Sequence, residues 1–309
     1  MRKPTPLHIG SRIALLAPSS SVSGKKLDAA LASTRFLGFD PVVFPTAAGQ
    51  HGYFSGTDQE RADDLNQAFS DSSIEGIFCI RGGYGAGRIL PLLDYDTIQK
   101  NPKVFLGYSD ITALHTVFNQ ICDFATLHAP MPGGNYINAD KDTVNLLRSH
   151  LQPLSHREKV SKAPWEMLFP GNAEGPVCGG NLSVLVSCLG SPYEIDTRGK
   201  ILFLEEVAEE TYKIDRNLTA LALAGKFNDC AGILLGYFLS RSPDDLETEH
   251  GLTLSQVFEE TILPFQKPVF THFPAGHQYP NYSIPMGLPI RLNGESKSID
   301  FLDSLTELP

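Results

Sequence analysis

At 309 residues, with 42% hydrophobic and 19% charged side chains, the chain has an ordinary globular composition and is long enough for two domains. A formal charge of −10 argues against a nucleic-acid partner, which would call for a basic patch, and gives no reason to expect binding to an anionic membrane. No stretch approaches the roughly 18 apolar residues of a membrane span, and the apolar run Ile13 to Ala17 is too short for a signal core. Five scattered cysteines (Cys79, Cys122, Cys178, Cys188, Cys230) lack C-x-x-C spacing and read as free thiols of a cytoplasmic protein.

The first half alternates strands and helices. Ile13 to Ala17 reads as a strand ending at Pro18-Ser-Ser-Ser. A helix follows over Leu27 to Leu37, with Leu27, Leu31 and Phe36 on its apolar side. Pro41 to Phe44 reads as the second strand. Thr57-Asp-Gln-Glu60 has the form of a capping box and starts a helix through Phe69. Ile77 to Ile80 is the third strand, and the glycine-rich Arg81-Gly-Gly-Tyr-Gly-Ala-Gly-Arg88 opens the next helix. Val104 to Tyr108 is the fourth strand, Ile111, Leu114, Val117 and Phe118 mark a helix face after it, and Phe124 to Leu127 is a fifth strand. Repeated βα units of this size predict an α/β architecture with a doubly wound parallel sheet, whose ligands bind at the carboxyl ends of the strands.

The texture changes after Pro130. Met131-Pro-Gly-Gly-Asn, Gln152-Pro-Leu and Phe169-Pro-Gly-Asn are rich in chain breakers, with a helix Lys141 to Leu151 among them. The expected division is an N-terminal domain over 1–135, a linker over 136–172 and a smaller β-rich α+β domain over 173–309. In the last, Gly179-Gly-Asn-Leu-Ser183 leads into a helix to Leu189. Strands follow at Ile201 to Leu204 and Ala231 to Phe238, and helices at Ile214 to Ala224 and Thr253 to Thr261. No internal repeat and no low-complexity tract is present.

Ser109 sits where the fourth strand meets its helix. There a hydroxyl lies beside the free N–H groups of a first helical turn, which favour negative charge. Gly107-Tyr-Ser-Asp-Ile111 is related to the G-x-S-x-G nucleophile elbow without matching it, because position 111 is Ile. Ser109 or Asp110 as a plain helix cap is the alternative. The glycines at 82, 83, 85 and 87 allow close approach of backbone to a ligand: a phosphate cradle, an oxyanion hole beside Ser109, or a simple turn. Their spacing is not G-x-G-x-x-G, which argues against a dinucleotide-dependent oxidoreductase. Glu205 follows an apolar strand and suits a triad acid, or belongs with Glu206, Glu209, Glu210 and Asp215 to a solvated face. His277, in a Gly/Pro-rich loop, is a candidate general base, with His272, His115 and His128 as competitors. No metal motif occurs, although His272 and His277 lie close in sequence.

Six segments together carry a resemblance: Leu16-Ala-Pro-Ser, Arg81-Gly-Gly-Tyr-Gly-Ala, Gly107-Tyr-Ser-Asp-Ile-Thr-Ala-Leu, Ala173-Glu-Gly-Pro-Val-Cys-Gly-Gly-Asn-Leu-Ser, Ile201-Leu-Phe-Leu-Glu-Glu and Gly276-His. The chain resembles, nearly end to end, the LD-carboxypeptidases, a serine-peptidase family that also contains microcin immunity peptidases. The resemblance implies Ser109 as nucleophile, Glu205 as acid and His277 as base, with the N–H groups of Asp110 and Gly83 as oxyanion hole. It implies Arg81, Gly82, Tyr84 and Asn181 around the substrate, no cofactor and no metal. It further implies a cytoplasmic homodimer acting on murein tetrapeptide at the bond between L-Lys or meso-diaminopimelate and D-Ala. Arg81 and Arg88 are candidate partners of the terminal carboxylate, and the acidic stretch Asp244 to Glu249 of a cationic side chain. The competing expectations are an immunity-type peptidase acting on an aminoacyl-nucleotide, with Trp165 stacked on the base, and a non-catalytic small-molecule-binding protein.

Overall fold

The computed structural model describes residues 1–151, 159–160, 166–240 and 251–307, and these form two compact units. The first holds residues 1–151, 279–287 and 304–307, the second the remainder. Gln152-Pro-Leu, Trp165 and Asp244 to Glu249 lie outside the described residues.

In chain order the first unit contains β1 (Arg12–Leu16), α1 (Gly24–Phe36), β2 (Asp40–Val43), α2 (Asp58–Ser70), β3 (Gly76–Cys79), α3 (Ala86–Ile89), α4 (Tyr95–Lys100), β4 (Val104–Gly107), α5 (Thr112–Gln120), β5 (Thr126–His128) and α6 (Lys141–Leu151). The second contains β6 (Lys159–Val160), β7 (Glu166–Phe169), β8 (Ala173–Asn181), α7 (Leu182–Ser187), β9 (Ile201–Glu209), α8 (Thr211–Leu223), α9 (Lys226–Asp229), β10 (Gly232–Ser240), α10 (Leu254–Thr261) and β11 (Val269–Thr271). The chain then returns to the first unit with β12 (Ile284–Met286) and closes the second with β13 (Pro289–Asn293) and β14 (Ser298–Phe301).

The first sheet runs β12-β5-β4-β3-β1-β2. Its strands are parallel except β12, which is antiparallel to β5 with Pro285 opposite Leu127. A proline fits there because β12 is an edge strand, where a missing N–H breaks no ladder bond. Ile13 to Leu16, Ile77 to Cys79 and Val104 to Leu106 are fully buried, as expected of parallel strands covered on both faces. The winding reverses between β1 and β3. The carboxyl ends of β1, β3 and β4 therefore border the switch point at which such sheets bind ligands.

Local signals account for much of this. The capping box forms: Thr57 Oγ1 accepts from Glu60 N–H, and Glu60 returns a bond to Thr57 N–H. Ala62, Leu65, Ala68 and Phe69 are the buried apolar face of α2. The α1 helix differs from expectation. Its buried residues are Ala30, Ser33 and Thr34, whereas Phe36 is exposed beneath the guanidinium of Arg148. Ser33 is drawn inward because its hydroxyl donates to Pro132 O and accepts from Tyr136 N–H. Helix α6, read from sequence as part of a linker over 136–172, lies in the first unit, and Glu166–Phe169 of that segment is a strand of the second.

The second sheet runs β6-β14-β13-β8-β9-β10-β11-β7. Its centre, β8 to β11, is parallel and its flanks are antiparallel. Leu202, Leu204, Ile233 and Leu235 meet Ile214, Leu218, Leu221 and Phe258 in its core. Four of the cysteines are buried and Cys188 is half-buried, all as free thiols. Among the described residues no helix is long and apolar enough to cross a membrane.

Burial lowers His115 and His150 of the first unit from 6.5 to about 4, partly offset by backbone bonds to Gly107 and Ser283. Between those values the unfolded chain binds protons that the folded chain does not, so stability falls as pH drops from about 6.5 to about 4. His150→Gln is expected to narrow the difference in Tm between pH 7 and pH 4.5, as read by scanning calorimetry; an unchanged difference would exclude His150 as a source of acid lability.

Candidate active site

Strand β4 ends in Gly107-Tyr108, and Ser109 to Ile111 form a 3₁₀ turn leading into α5. Ser109 is held at φ 66°, the left-handed region that residues with a Cβ seldom adopt. Neither the turn nor α5 is capped by a side chain, so Ser109 is not the helix cap that was the alternative. Its hydroxyl stands half-buried at the carboxyl edge of the sheet. Gly107 is required for the turn, because a Cβ there would come within 2.7 Å of Ile111.

His115, one turn into α5, braces this backbone from below. Its Nε2 lies 2.8 Å from Gly107 O and its Nδ1 2.9 Å from Thr126 Oγ1. A carbonyl can only accept, so Nε2 carries the proton and Nδ1 accepts from Thr126. Burial keeps this ring neutral, which makes it a brace rather than a base. His128 is also buried, with its ring 5.9 Å from that of Tyr108, and His272 is exposed in a left-handed conformation.

The loop after β3 lies against the turn. A Cβ on Gly82 would fall 2.9 Å from Ser109 Cβ, 3.0 Å from Ser109 Oγ and 3.2 Å from Asp110 N. Gly82 is thus too close to Ser109 for any side chain, and the missing Cβ lets the loop lie against the serine oxygen and the Asp110 N–H. Gly83, at φ 114°, faces Ser20. The buried Asp110 carboxylate ties the loops together: its Oδ2 accepts from Ser19 Oγ at 2.6 Å and from Ala86 N–H at 2.7 Å. Burial raises the Asp110 carboxyl above the usual range, against the lowering effect of Ser19, Ala86 and the charge of Arg61. Arg61 is fully buried and donates to Pro18 O at 2.7 Å, Gly85 O at 2.9 Å and Asp58. Arg81 donates to Ser21 O at 2.9 Å, and its buried Nε has no partner among the described residues. Arg88 instead holds Asp58 Oδ2 through Nε at 3.0 Å and Nη2 at 2.7 Å. Tyr84 is 56% exposed and its N–H donates to Ser20 Oγ.

In the second unit, Glu205 and His277 meet across 72 residues of sequence: Nδ1 of the imidazole is 2.7 Å from Glu205 Oε2. Glu205 lies on β9 and is fully buried, so the reading of a solvated acidic face does not hold. Burial raises its carboxyl above the usual range, opposed by the bond to His277 and the charge on it. Gly276 permits the approach, since at φ 126° a Cβ would stand 2.8 Å from Glu205 Oε2. Neighbouring strand residues point to opposite faces. Glu206 accepts from Asn181 Nδ2 and Val207 N–H at 2.9 Å on Oε1 and from Ser183 N–H at 2.9 Å on Oε2, and the Asn181 amide also acts to lower the Glu205 carboxyl. Asn181, expected at the substrate, also caps α7 by accepting from Val184 N–H. Among the described residues no group of three or more His, Cys, Asp or Glu is placed to hold a metal ion.

The structure therefore joins Ser109 with Gly82 and Asp110, and Glu205 with His277. Sequence reasoning missed Ser19 and Arg61, and took His115 for a possible base. Ser19 had a signal, its place in Leu16-Ala-Pro-Ser at the end of β1; Arg61 had none, since it sits on an ordinary amphipathic helix.

The chain matches two family profiles, the LD-carboxypeptidase N-terminal domain over residues 13–129 and the LD-carboxypeptidase C-terminal domain over residues 174–292. It is 40% identical over 302 residues to a Bacillus subtilis protein named probable murein peptide carboxypeptidase, covering 96% of this chain and 93% of the relative. It is 29% identical to the murein tetrapeptide carboxypeptidase of Pseudomonas aeruginosa, covering 93% and 94%. Among solved structures, the microcin C7 self immunity protein MccF superposes with a TM-score of 0.89 at 23% identity, covering 99% of this chain and 100% of that one. The muramoyltetrapeptide carboxypeptidase from Oxalobacter formigenes does so with a TM-score of 0.83 at 24% identity, covering 96% and 100%. At these identities the two superpositions bear on the fold alone.

Gly82→Ala is expected to lower kcat by about 10²-fold or more by displacing Ser109 and the Asp110 N–H, and to lower Tm as well, because the added Cβ meets Ser109 at 2.9 Å. Wild-type kcat in a folded variant would show that this close approach does not matter to turnover.

Proposed function

The chain belongs to the LD-carboxypeptidase family of serine peptidases, and from that premise we propose that it releases terminal D-Ala from murein tetrapeptide through Ser109, His277 and Glu205. The observation that carries the reading is Ser109 in a left-handed turn, with Gly82 and the Asp110 N–H beside its hydroxyl.

In the proposed mechanism, Glu205 accepts the Nδ1–H of His277, which leaves Nε2 with the lone pair. Nε2 takes the Ser109 proton as Oγ attacks the carbonyl carbon of the L-centre of Lys or meso-diaminopimelate. The oxyanion lies beside Gly82 and accepts from the N–H groups of Asp110 and Gly83, a contribution of roughly 3 kcal/mol per donor. The C–N bond then breaks, His277 returns the proton to the departing D-Ala amine, and water hydrolyses the ester by the same route. Arg81 is the proposed partner of the terminal carboxylate, whereas Arg88 is already engaged by Asp58. The reading includes a role in cell-wall recycling, a cytoplasmic location and a homodimer, all implied by the family resemblance.

Mass spectrometry of the protein with murein tetrapeptide is expected to show loss of D-Ala, and Ser109→Ala to abolish it while the fold persists. Cleavage of an aminoacyl-sulfamoyl adenylate in its place would move the protein to the immunity-type reading; wild-type turnover by Ser109→Ala would remove the serine from the mechanism. Glu205→Gln is expected to lower kcat by about 10³-fold or more, since it removes the charge that steadies the imidazolium. Because burial raises the Glu205 carboxyl, its protonation is expected to cut kcat/KM on the acid side of the pH profile. A profile flat down to pH 4 would contradict this.

A further inference from the structure

Beside the Gly82–Gly85 loop the first unit exposes an aromatic surface that the mechanism does not use. Tyr53 is 62% exposed and Tyr84 56% exposed, with ring centroids 6.1 Å apart. Phe54 lies behind them, 4.3 Å from Tyr53 and 5.8 Å from Tyr84. Arg88 places its guanidinium 4.9 Å from the Phe54 ring centroid, and there holds the carboxylate of Asp58. Both members of this ion pair are partly open, Arg88 at 49% and Asp58 at 30%. Two adjacent, partly exposed tyrosines present flat apolar rings with polar tips, a surface on which a ligand can stack.

Its composition selects among ligands. Flat rings accept an apolar face by stacking, and an open Arg–Asp pair offers planar donors and an acceptor at the rim. A pyranose ring presents that combination, with C–H groups on one face and hydroxyls around its edge. The placement agrees with the proposed substrate, on which this inference rests. In a muramoyl-tetrapeptide the sugar is three residues from the scissile carbonyl, about 10 Å along an extended stem. Tyr84 is two residues from Gly82, at most about 7 Å of backbone, and the rings extend beyond that. The leaving side of the scissile bond is one D-Ala, too small to cover two tyrosines.

We propose that Tyr53 and Tyr84, with the Arg88–Asp58 pair at their edge, form a subsite for the amino sugar of muramoyl-peptides. The enzyme then prefers tetrapeptide still joined to its sugar over the free peptide.

The test compares kcat/KM for N-acetylmuramoyl-tetrapeptide and for sugar-free tetrapeptide. Wild type is expected to favour the sugar-bearing substrate about tenfold, mainly through KM, and Tyr53→Ala and Tyr84→Ala to bring the ratio close to one, with Tyr53→Phe restoring it. A wild-type ratio of one, or a ratio that survives both alanine variants, overturns the proposal. A second arm separates this from failure of the function itself. Binding of N-acetylmuramoyl-L-alanyl-D-isoglutamine to the Ser109→Ala protein, read by titration calorimetry, needs no turnover. Binding lost in the added Tyr53→Ala change supports the subsite even if D-Ala release is not found. No binding, or binding indifferent to Tyr53, overturns it.

Discussion

The turn that carries Ser109 depends on one buried carboxylate. Asp110 draws together the loops that follow β1, β3 and β4 by accepting from Ser19 and from the first N–H of α3. An ionised group in that position is held against a desolvation penalty by its partners and by the nearby Arg61, whose own donors reach the loops after β1 and β3 at Pro18 O and Gly85 O. The left-handed Ser109 next to it stores strain of order 1–3 kcal/mol, which persists only where the surroundings over-determine it. Asp110, the His115 brace on Gly107 and the packing of Ile111 against a residue with no Cβ supply that determination.

The surroundings of Glu205 are organised by a different rule, the alternation of a strand. Glu205 and Glu206 are adjacent and both buried, but β9 turns them to opposite faces. Glu206 is satisfied by Asn181, Ser183 and Val207, a set with the character of a helix-capping network at the start of α7. Glu205 receives an imidazole. Composition makes the two residues equivalent; what separates them is which face each one meets.

These distinctions explain what was legible in the sequence. The capping box at Thr57 and Glu60 placed the start of α2, and the bounds of α6 were readable, because caps and amphipathic periodicity are local. The parallel strands were visible as short apolar runs. Strand β12 was not: three residues with a central proline carry no strand signal of their own, and only the edge of β5 makes them one. The inward face of α1 was misread for a related reason, since Ser33 is buried by the carbonyl of Pro132 and the N–H of Tyr136, about a hundred residues away. Ser109, Glu205 and His277 were named through a resemblance. Periodicity alone left each with an ordinary alternative, because a strained turn and a buried hydrogen bond exist only once the chain is folded.

The burial of Glu205 also has a consequence for chemistry. A carboxylate in water would bond to His277 as readily, but solvent would screen its effect on the ring. Full burial raises the cost of keeping Glu205 charged and pushes its carboxyl above the usual range. The same low dielectric strengthens its attraction for a positive ring, and in the proposed mechanism His277 is positive only after it has taken the serine proton. In that proposal the attraction acts most on the imidazolium beside a tetrahedral intermediate. The desolvation that weakens the folded state would then be directed at the one species whose stabilisation lowers the barrier.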